Sequence, residues 1–378
     1  MRILQVTGYF SQTFGGSAEV PYQLSKKLAE REHQVTVYTS DYRISQDYLN
    51  SLQGVKVQPF RTWLSISNFN FTPTMINKAA KELEQFDVIH LHNFRTFQNI
   101  VIRHYAKKYG IPYVLHTHGS LAKVISKQNL KIIYDNFWGR RIIADASRLI
   151  ASTLTETEQY GEFKADKGKI VTVPNCIEIS DYEHLPGKGV FRKEYGITEE
   201  YIILFVGRID RIKGLDILIK AVAELDRKRI DYKLVIMGPD SGYLPTVKDL
   251  IKEYKLEEKV IITGFVPSET KLAAYVDADV YVIPSVYETF PTTALEAGAC
   301  GTPVIVTDRC QMAHLFDNTF GLVVPYDHNR LYDALIQMLN DEEMRVRFGE
   351  TGKALVREKY TWSHIAEQIE EIYGEVVK

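Results

Sequence analysis

Short runs of β-branched and aliphatic residues recur along the chain, each followed by a stretch in which apolar positions take helical spacing. In the first half the runs are Ile3–Val6, Gln34–Thr39, Asp87–Leu91, Ile111–His116 and Ile170–Val173, with helical spacing over about Ala18–Arg31, Phe97–Lys108 and Leu130–Ala146. A second series starts at Tyr201 with YIILFV, followed by a helix over Leu215–Lys228. It continues through Lys233–Met237, Val260–Thr263, Asp279–Ile283, Val304–Thr307 and Gly321–Val324, and then reads as helix to the end. Apolar strands alternating with helices predict βαβ units, hence an α/β protein with parallel sheets. Between the series, DYEHLPGKG with Pro186, Gly187 and Gly189 carries the breakers of a linker and sets a boundary at 183/184. A chain of 378 residues is long enough for two cores. The halves share this architecture without sharing a sequence repeat.

Composition adds little to that picture: 45% hydrophobic and 25% charged residues are ordinary globular values. Three cysteines, Cys176, Cys300 and Cys310, have no metal-ligand spacing and read as reduced thiols of a cytoplasmic protein. Met1–Phe10 is too short an apolar run for a signal peptide, and no later run has membrane-spanning length. Charge changes the picture more. Residues 1–187 hold 22 Lys and Arg against 17 Asp and Glu, a balance of +5, whereas residues 188–378 hold 24 against 31, a balance of −7. From Arg95 to Arg148 ten basic residues face only Asp135 and Asp145. Such a block suits an anionic phospholipid surface or a phosphate-bearing substrate, or is simply a solvated face. No nucleic-acid recognition motif accompanies it, so nucleic acid is not expected.

Candidate chemistry gathers where predicted strands end, the place where open parallel sheets bind ligands. In Tyr287–Pro303, YETFPTTALEAGACGTP, Pro291 suits a first helical position and Gly301 with Pro303 suits the stop. Glu288 then lies on the preceding loop and Glu296 inside a helix of about two turns. No capping residue stands directly before Pro291, so the N–H groups near Phe290, Thr292 and Thr293 lack acceptors. That end attracts an anion, and the two carboxylates can accept from vicinal sugar or ribose hydroxyls, unless both are merely solvated. After Ile3–Val6, Gly15 and Gly16 let backbone approach a phosphate, although they do not make a G-x-G-x-x-G fingerprint. After YIILFV, Arg208 and Lys213 flank a helix start and suit a diphosphate, unless Asp210 and Asp216 make this a surface loop of mixed charge.

His90, His92 and His116 fall within strands, and His118 falls just past one, which makes His118 the catalytic candidate. Alternate histidines of a strand without a third nearby ligand predict no metal site. Ser65–Thr74, after Trp63, is a polar and aromatic loop without a clear element. Leu130–Ala146 mixes Phe137 and Trp138 with Arg140 and Arg141, a pattern of peripheral membrane contact or of core packing.

FVGRIDRIKG at Phe205–Gly214, Glu288 and Glu296 in Glu-x7-Glu spacing, EAGACGTPVI, the Gly15-Gly16 opening, HTHG at His116–Gly119 and VPN at Val173–Asn175 together resemble retaining glycosyltransferases of family 4. The resemblance spans essentially the whole chain, and the order of the motifs makes it specific. It implies the GT-B fold: two Rossmann-like domains facing a cleft, an acceptor-binding domain over 1–183 plus 361–378 and a donor-binding domain over 184–360. The C-terminal helix would cross back to the N-terminal domain.

The resemblance further implies a nucleotide-sugar donor, UDP- or GDP-linked, as substrate, with no cofactor and no metal. Glu296 would take the ribose hydroxyls, Arg208 and Lys213 the diphosphate, and Glu288 a sugar hydroxyl. Backbone at Phe290, Pro291, Thr292 and Thr293 would meet sugar and phosphate, Gly16 the phosphate, and Gly238, Gly264 and Val266 the nucleobase. His118 would face the reacting sugar. The acceptor would be a hydroxyl of a glycan, glycolipid or lipid-linked sugar, handled in the cytoplasm or at the inner membrane face. Thr289 after Glu288 and Cys176 after Asn175 replace the glycines usual in the family. Asp277 and Asp279 match the Asp-x-Asp string of metal-dependent glycosyltransferases but lead straight into a buried strand. An epimerase or hydrolase of nucleotide sugars, or a catalytically silent partner in glycan assembly, are the alternatives.

Overall fold

The computed structural model describes residues 1–11, 16–44, 46–66, 69–121 and 128–377. The chain divides into two compact units, Met1–Asn175 with Trp362–Lys378, and Cys176–Thr361. The boundary thus falls at Asn175/Cys176 rather than at 183/184, and Thr361 belongs to the second unit. The reason lies in the breaker-rich segment, which is not a free tether. Ile177 donates its N–H to Tyr360 O at 3.0 Å and bridges to Thr361. Ile179–Tyr182 then forms a 3-10 turn with Tyr182 buried.

Among the described residues the first unit holds nine strands: β1 (Arg2–Val6), β2 (Gln34–Ser40), β3 (Val55–Phe60), β4 (Leu64–Ile66), β5 (Phe69–Phe71), β6 (Val88–His92), β7 (Tyr113–His116), β8 (Arg148–Ala151) and β9 (Ile170–Thr172). Seven of them pair in parallel in the order β3-β2-β1-β6-β7-β8-β9, while β4 and β5 form a separate antiparallel hairpin. Every residue of β6 and β7 is buried, which explains their continuous apolar reading. The strand β3, which the sequence pattern misses, carries Pro59 at the sheet edge and is largely half-buried. The hairpin accounts for part of Ser65–Thr74, although Ser67 and Asn68 lie outside the described residues.

The C-terminal helix Trp362–Val376 completes the first unit. Trp362, Ile365, Ala366, Ile369, Ile372 and Tyr373 recur at three- and four-residue spacing and are buried. Its polar side is held by Glu370, 2.6 Å from both Arg31 and His33, and by Glu375, 3.0 Å from Arg148. The expected helix Leu130–Ala146 forms as three joined segments, Gln128–Tyr134, a π-helical Asp135–Gly139 and Arg140–Asp145.

The second unit holds β10 (Tyr201–Val206), β11 (Tyr232–Met237), β12 (Val260–Gly264), β13 (Val280–Ile283), β14 (Val304–Thr307) and β15 (Gly321–Val324), all parallel in the order β12-β11-β10-β13-β14-β15. From β10 the chain steps outward to β11, and from β13 it steps the other way to β14. The loops leaving β10 and β13 therefore separate at a topological switch point, where an open α/β sheet has its ligand crevice.

Candidate active site

The switch point of the second unit brings together residues far apart in sequence. In the loop after β10, Asp210 accepts from Ile212 N at 3.0 Å and so caps the 3-10 turn Arg211–Lys213. Gly214 follows with φ +66, and a Cβ there would lie 1.8 Å from Pro284 O. Only glycine lets this loop rest directly on the end of β13. Val286 donates to Ile212 O at 2.8 Å and closes the junction. Lys213 Nζ consequently meets Glu288 Oε2 at 2.5 Å, with both side chains largely buried. Arg208, two residues past β10, is exposed and has no ion pair among the described residues.

The helix over Thr292–Cys300 starts one residue later than expected, with Pro291 as N-cap and no side-chain cap, and stops at Gly301 in the left-handed region. Its first N–H groups, at Thr292 and Thr293, meet no acceptor among the described residues. Phe290 and Pro291 are buried. One turn down the helix, Glu296 Oε2 lies 2.9 Å from Lys271 Nζ and accepts from Tyr275 Oη at 3.1 Å. Burial and the Glu296 charge push the Tyr275 hydroxyl well above its ordinary range. Lys271 and Tyr275 escaped the sequence reading, because nothing in their own helix marks them as facing Glu296.

Gly238 and Gly264 end β11 and β12. Gly238 N donates to Gly264 O at 2.8 Å, and a Cβ on Gly238 would lie 2.0 Å from Gly207 O, so close loop packing by itself demands glycine there. Gly264 has open space where a Cβ would be. Between Gly264 and half-buried Val266 stands Phe265, 82% exposed, a ring that the sequence reading passed over.

In the first unit the switch point lies between β1 and β6, where Gly16 opens the helix Gly16–Glu30, while Gly15 lies outside the described residues. His118 follows β7 with φ +49, a conformation costly for a side-chain-bearing residue. The buried Glu156 carboxylate holds this turn, accepting from Thr117 Oγ1, from Gly119 N at 2.7 Å and from Ser152 N at 2.7 Å. Burial raises the Glu156 carboxyl and those three donors lower it, with burial prevailing. The sequence reading passed over Glu156, a single acid that no motif marks.

Neighbouring strands also bring His116 beside His90 and His92, against the expectation of no third histidine nearby. One nitrogen of each lies within 4.8 Å of the others. The rings stack instead of converging: His90 lies 17° from both His92 and His116. His92 and His116 are tilted by 34°. Asp277 accepts from Gly189 N and Arg192 N at 2.5 and 3.0 Å, and Asp279 from Ile202 N at 2.8 Å, so both serve the fold.

The basic block is partly neutralised within the unit. Arg95 pairs with Asp135, Arg103 and Lys107 with Asp145, and Arg148 with Glu375. Arg140 and Arg141 remain exposed in the same stretch as exposed Leu130, Ile132, Ile133, Phe137 and Trp138. No helix among the described residues is long and apolar enough to cross a membrane.

Two parallel-sheet units, each with loops gathered at its switch point, define a Rossmann-like α/β protein. Comparison with known proteins gives its lineage. Residues 14–181 match the model of Glycosyltransferase Family 4, and residues 188–355 that of Glycosyl transferases group 1. A D-inositol 3-phosphate glycosyltransferase of Pseudarthrobacter chlorophenolicus is 30% identical over 78% of this chain and 74% of its own. An uncharacterized glycosyltransferase of Methanocaldococcus jannaschii is 29% identical over 99% of this chain and 98% of its own. The HepE protein of Anabaena, solved in complex with UDP, superposes with a TM-score of 0.82 at 19% identity, covering 99% of this chain and 100% of its own. The chain belongs to glycosyltransferase family 4, has its GT-B type of fold, and is a sugar-transferring enzyme.

Proposed function

We propose that the protein moves a sugar from a nucleoside-diphosphate donor to a hydroxyl acceptor with retention of anomeric configuration and without a metal ion. The observation that carries this is the convergence, at one switch point, of Lys213, Glu288, Arg208 and an uncapped helix start. A leaving diphosphate gains negative charge as the sugar–phosphate bond breaks, and cations and free N–H groups aimed at it act on the transition state. Lys213, Arg208 and the Thr292 and Thr293 N–H groups are assigned to the diphosphate, and Glu288 to a hydroxyl of the transferred sugar. Glu296 is assigned to the ribose, with Lys271 and Tyr275 orienting its carboxylate. Gly238, Gly264 and Val266 are assigned to the base. From the first unit Gly15 and Gly16 are assigned to phosphate and His118 to the transferred sugar.

In this scheme the acceptor hydroxyl attacks the anomeric carbon on the face the diphosphate leaves, and its proton passes to a departing phosphate oxygen. Asp277 and Asp279, the one Asp-x-Asp string, are taken up by backbone donors, which favours the metal-free reading. UDP is the first donor base to test, since the Anabaena relative in fold was solved with UDP and with UDP-glucose. A lipid-linked or glycolipid acceptor, met in the cytoplasm at the membrane surface, is supported by the exposed Leu130–Trp138 apolar side chains beside Arg140 and Arg141.

The test is sugar transfer from UDP- and GDP-sugars to an acceptor panel in EDTA, with the anomeric configuration of the product read by NMR. An α-linked donor giving an α-linked product in EDTA is expected; an inverted product or an absolute need for metal rejects the scheme. Flotation with anionic and neutral liposomes tests the surface separately, and indifference to lipid charge removes it.

A further inference from the structure

Three buried histidines of the first unit, His118, His92 and His90, belong to a hydrogen-bonded series that passes through the C-terminal helix. His118 Nε2 lies 2.9 Å from His92 Nδ1, His92 Nε2 lies 2.5 Å from Gln5 Oε1, Gln5 Nε2 donates to Tyr373 Oη at 3.0 Å, and Tyr373 Oη lies 2.6 Å from His90 Nδ1. Gln5, His90 and His92 are fully buried, and Tyr373 with them. Burial keeps all four imidazoles neutral, holding His90, His92 and His116 well below the usual histidine range and His118 down at about 3.

Neutral imidazoles have one donor and one acceptor nitrogen each, so the series can be solved for its protons. Gln5 Oε1 only accepts, therefore His92 Nε2 carries the hydrogen and His92 Nδ1 is a bare lone pair. His118 Nε2 must then be the donor, which leaves His118 Nδ1 bare. At the other end Tyr373 receives the Gln5 amide hydrogen and passes its own to His90 Nδ1. His118 Nδ1 is buried and has no hydrogen-bond partner among the described residues, as a nitrogen awaiting a hydrogen from a ligand would be. His116 lies against His118 with centroids 3.7 Å apart and the rings tilted by 33°, and it is anchored to Ser152 Oγ at 2.9 Å.

We propose that Gln5, oriented by Tyr373 and acting through His92, is a positioning residue that holds His118 in the Nε2–H tautomer and presents Nδ1 as a hydrogen-bond acceptor to substrate. The inference deepens the assignment of His118 to the transferred sugar and rests on it. It ties the C-terminal helix to the reaction, since the hydroxyl that orients the Gln5 amide belongs to that helix. A wrong tautomer in an otherwise intact site disables histidine chemistry.

The experiment uses the full chain labelled with 15N in its histidine rings, alongside steady-state kinetics of sugar transfer from UDP-glucose or GDP-glucose, whichever the protein turns over, to the acceptor panel. In the wild type, His118 Nε2 gives a protonated and Nδ1 a non-protonated nitrogen signal. Gln5→Met keeps the side-chain length and removes the acceptor. It is expected to move His118 toward a mixture of tautomers and to lower kcat by roughly tenfold, leaving KM within about twofold, as loss of an oriented proton acceptor does. Gln5→Glu restores an oxygen acceptor and is expected to restore both signals and rate. An unchanged His118 tautomer in Gln5→Met overturns the relay. A changed tautomer at unchanged kcat leaves the relay standing and instead overturns the assignment of His118 to the reaction.

Discussion

Lys213 Nζ stands 2.5 Å from Glu288 Oε2 across the switch point of the second unit, each side chain about one-fifth exposed or less. The pair joins two loops separated by 75 residues of chain. It neutralises two charges that would otherwise be costly to leave half-buried. A diphosphate arriving at Lys213 competes with Glu288 for the same ammonium hydrogens, while a sugar hydroxyl can donate to the carboxylate. In the proposed scheme this ion pair links two side chains assigned to two parts of the donor.

That arrangement separates binding from transfer. Glu288→Gln removes the carboxylate that competes for Lys213, so UDP alone is expected to bind at least as tightly, while sugar transfer falls by about 10²-fold or more. Calorimetry with UDP and initial rates with UDP-sugar read the two effects. Lys213→Ala is expected to weaken both, with transfer down by about 10²- to 10³-fold.

Glu296→Ala is expected to weaken nucleotide binding by roughly 10- to 100-fold while the melting temperature stays within a few degrees, since it removes charged hydrogen bonds worth about 1.5–3 kcal/mol. Lys271→Met, which removes only the ion-pair partner of Glu296, is expected to give a smaller loss in the same direction. Equal nucleotide affinity in the Glu296→Ala protein removes the ribose assignment.

Gly214→Ala and Gly110→Ala form a matched pair. Both glycines have positive φ, +66 and +68, but a Cβ at Gly214 would lie 1.8 Å from Pro284 O, whereas at Gly110 nothing lies within 4 Å. Gly110→Ala is expected to cost about 1 kcal/mol of strain, and Gly214→Ala at least about 2 kcal/mol plus displacement of Lys213 from Glu288. Denaturant unfolding and donor binding measured on both variants check the difference.

Acid stability follows from the histidine stack. The folded protein holds all four rings below the ordinary value of 6.5, so the unfolded chain takes up protons first as pH falls. Their contribution is fully present above about pH 6.5 and is lost on acidification, with a limiting slope of about 5 kcal/mol per pH unit for four protons. Glu156 and Asp279 act in the opposite sense, because burial raises their carboxyls and they take a proton more readily in the folded state, but they are two groups against four. Melting temperatures are therefore expected to drop steeply between about pH 6.5 and 5, and less steeply in His90→Gln, where one such proton is gone.

Continuous burial made much of this legible in the sequence. The runs Tyr201–Val206, Val304–Thr307 and Gly321–Val324 coincide with β10, β14 and β15, because strands buried on both faces read as unbroken apolar segments. Loops at strand ends announced Arg208, Lys213, Glu288 and His118 through glycines, prolines and charge. Other features needed the third dimension. Lys271 and Tyr275 reach Glu296 from a neighbouring helix, and Gln5 meets His92 and Tyr373 only once β1, β6 and the C-terminal helix come together. For the basic stretch the third dimension adds Glu375, which pairs with Arg148 from the far end of the chain beside the pairs made by Asp135 and Asp145.

The most direct test of the central claim is a calorimetric titration of the purified protein with UDP, GDP, ADP and dTDP in EDTA, repeated on Glu296→Ala. The account predicts saturable binding of one of these nucleotides in the wild type, indifferent to EDTA and weakened by the substitution. Absence of binding to all four, or binding that EDTA abolishes, would contradict it.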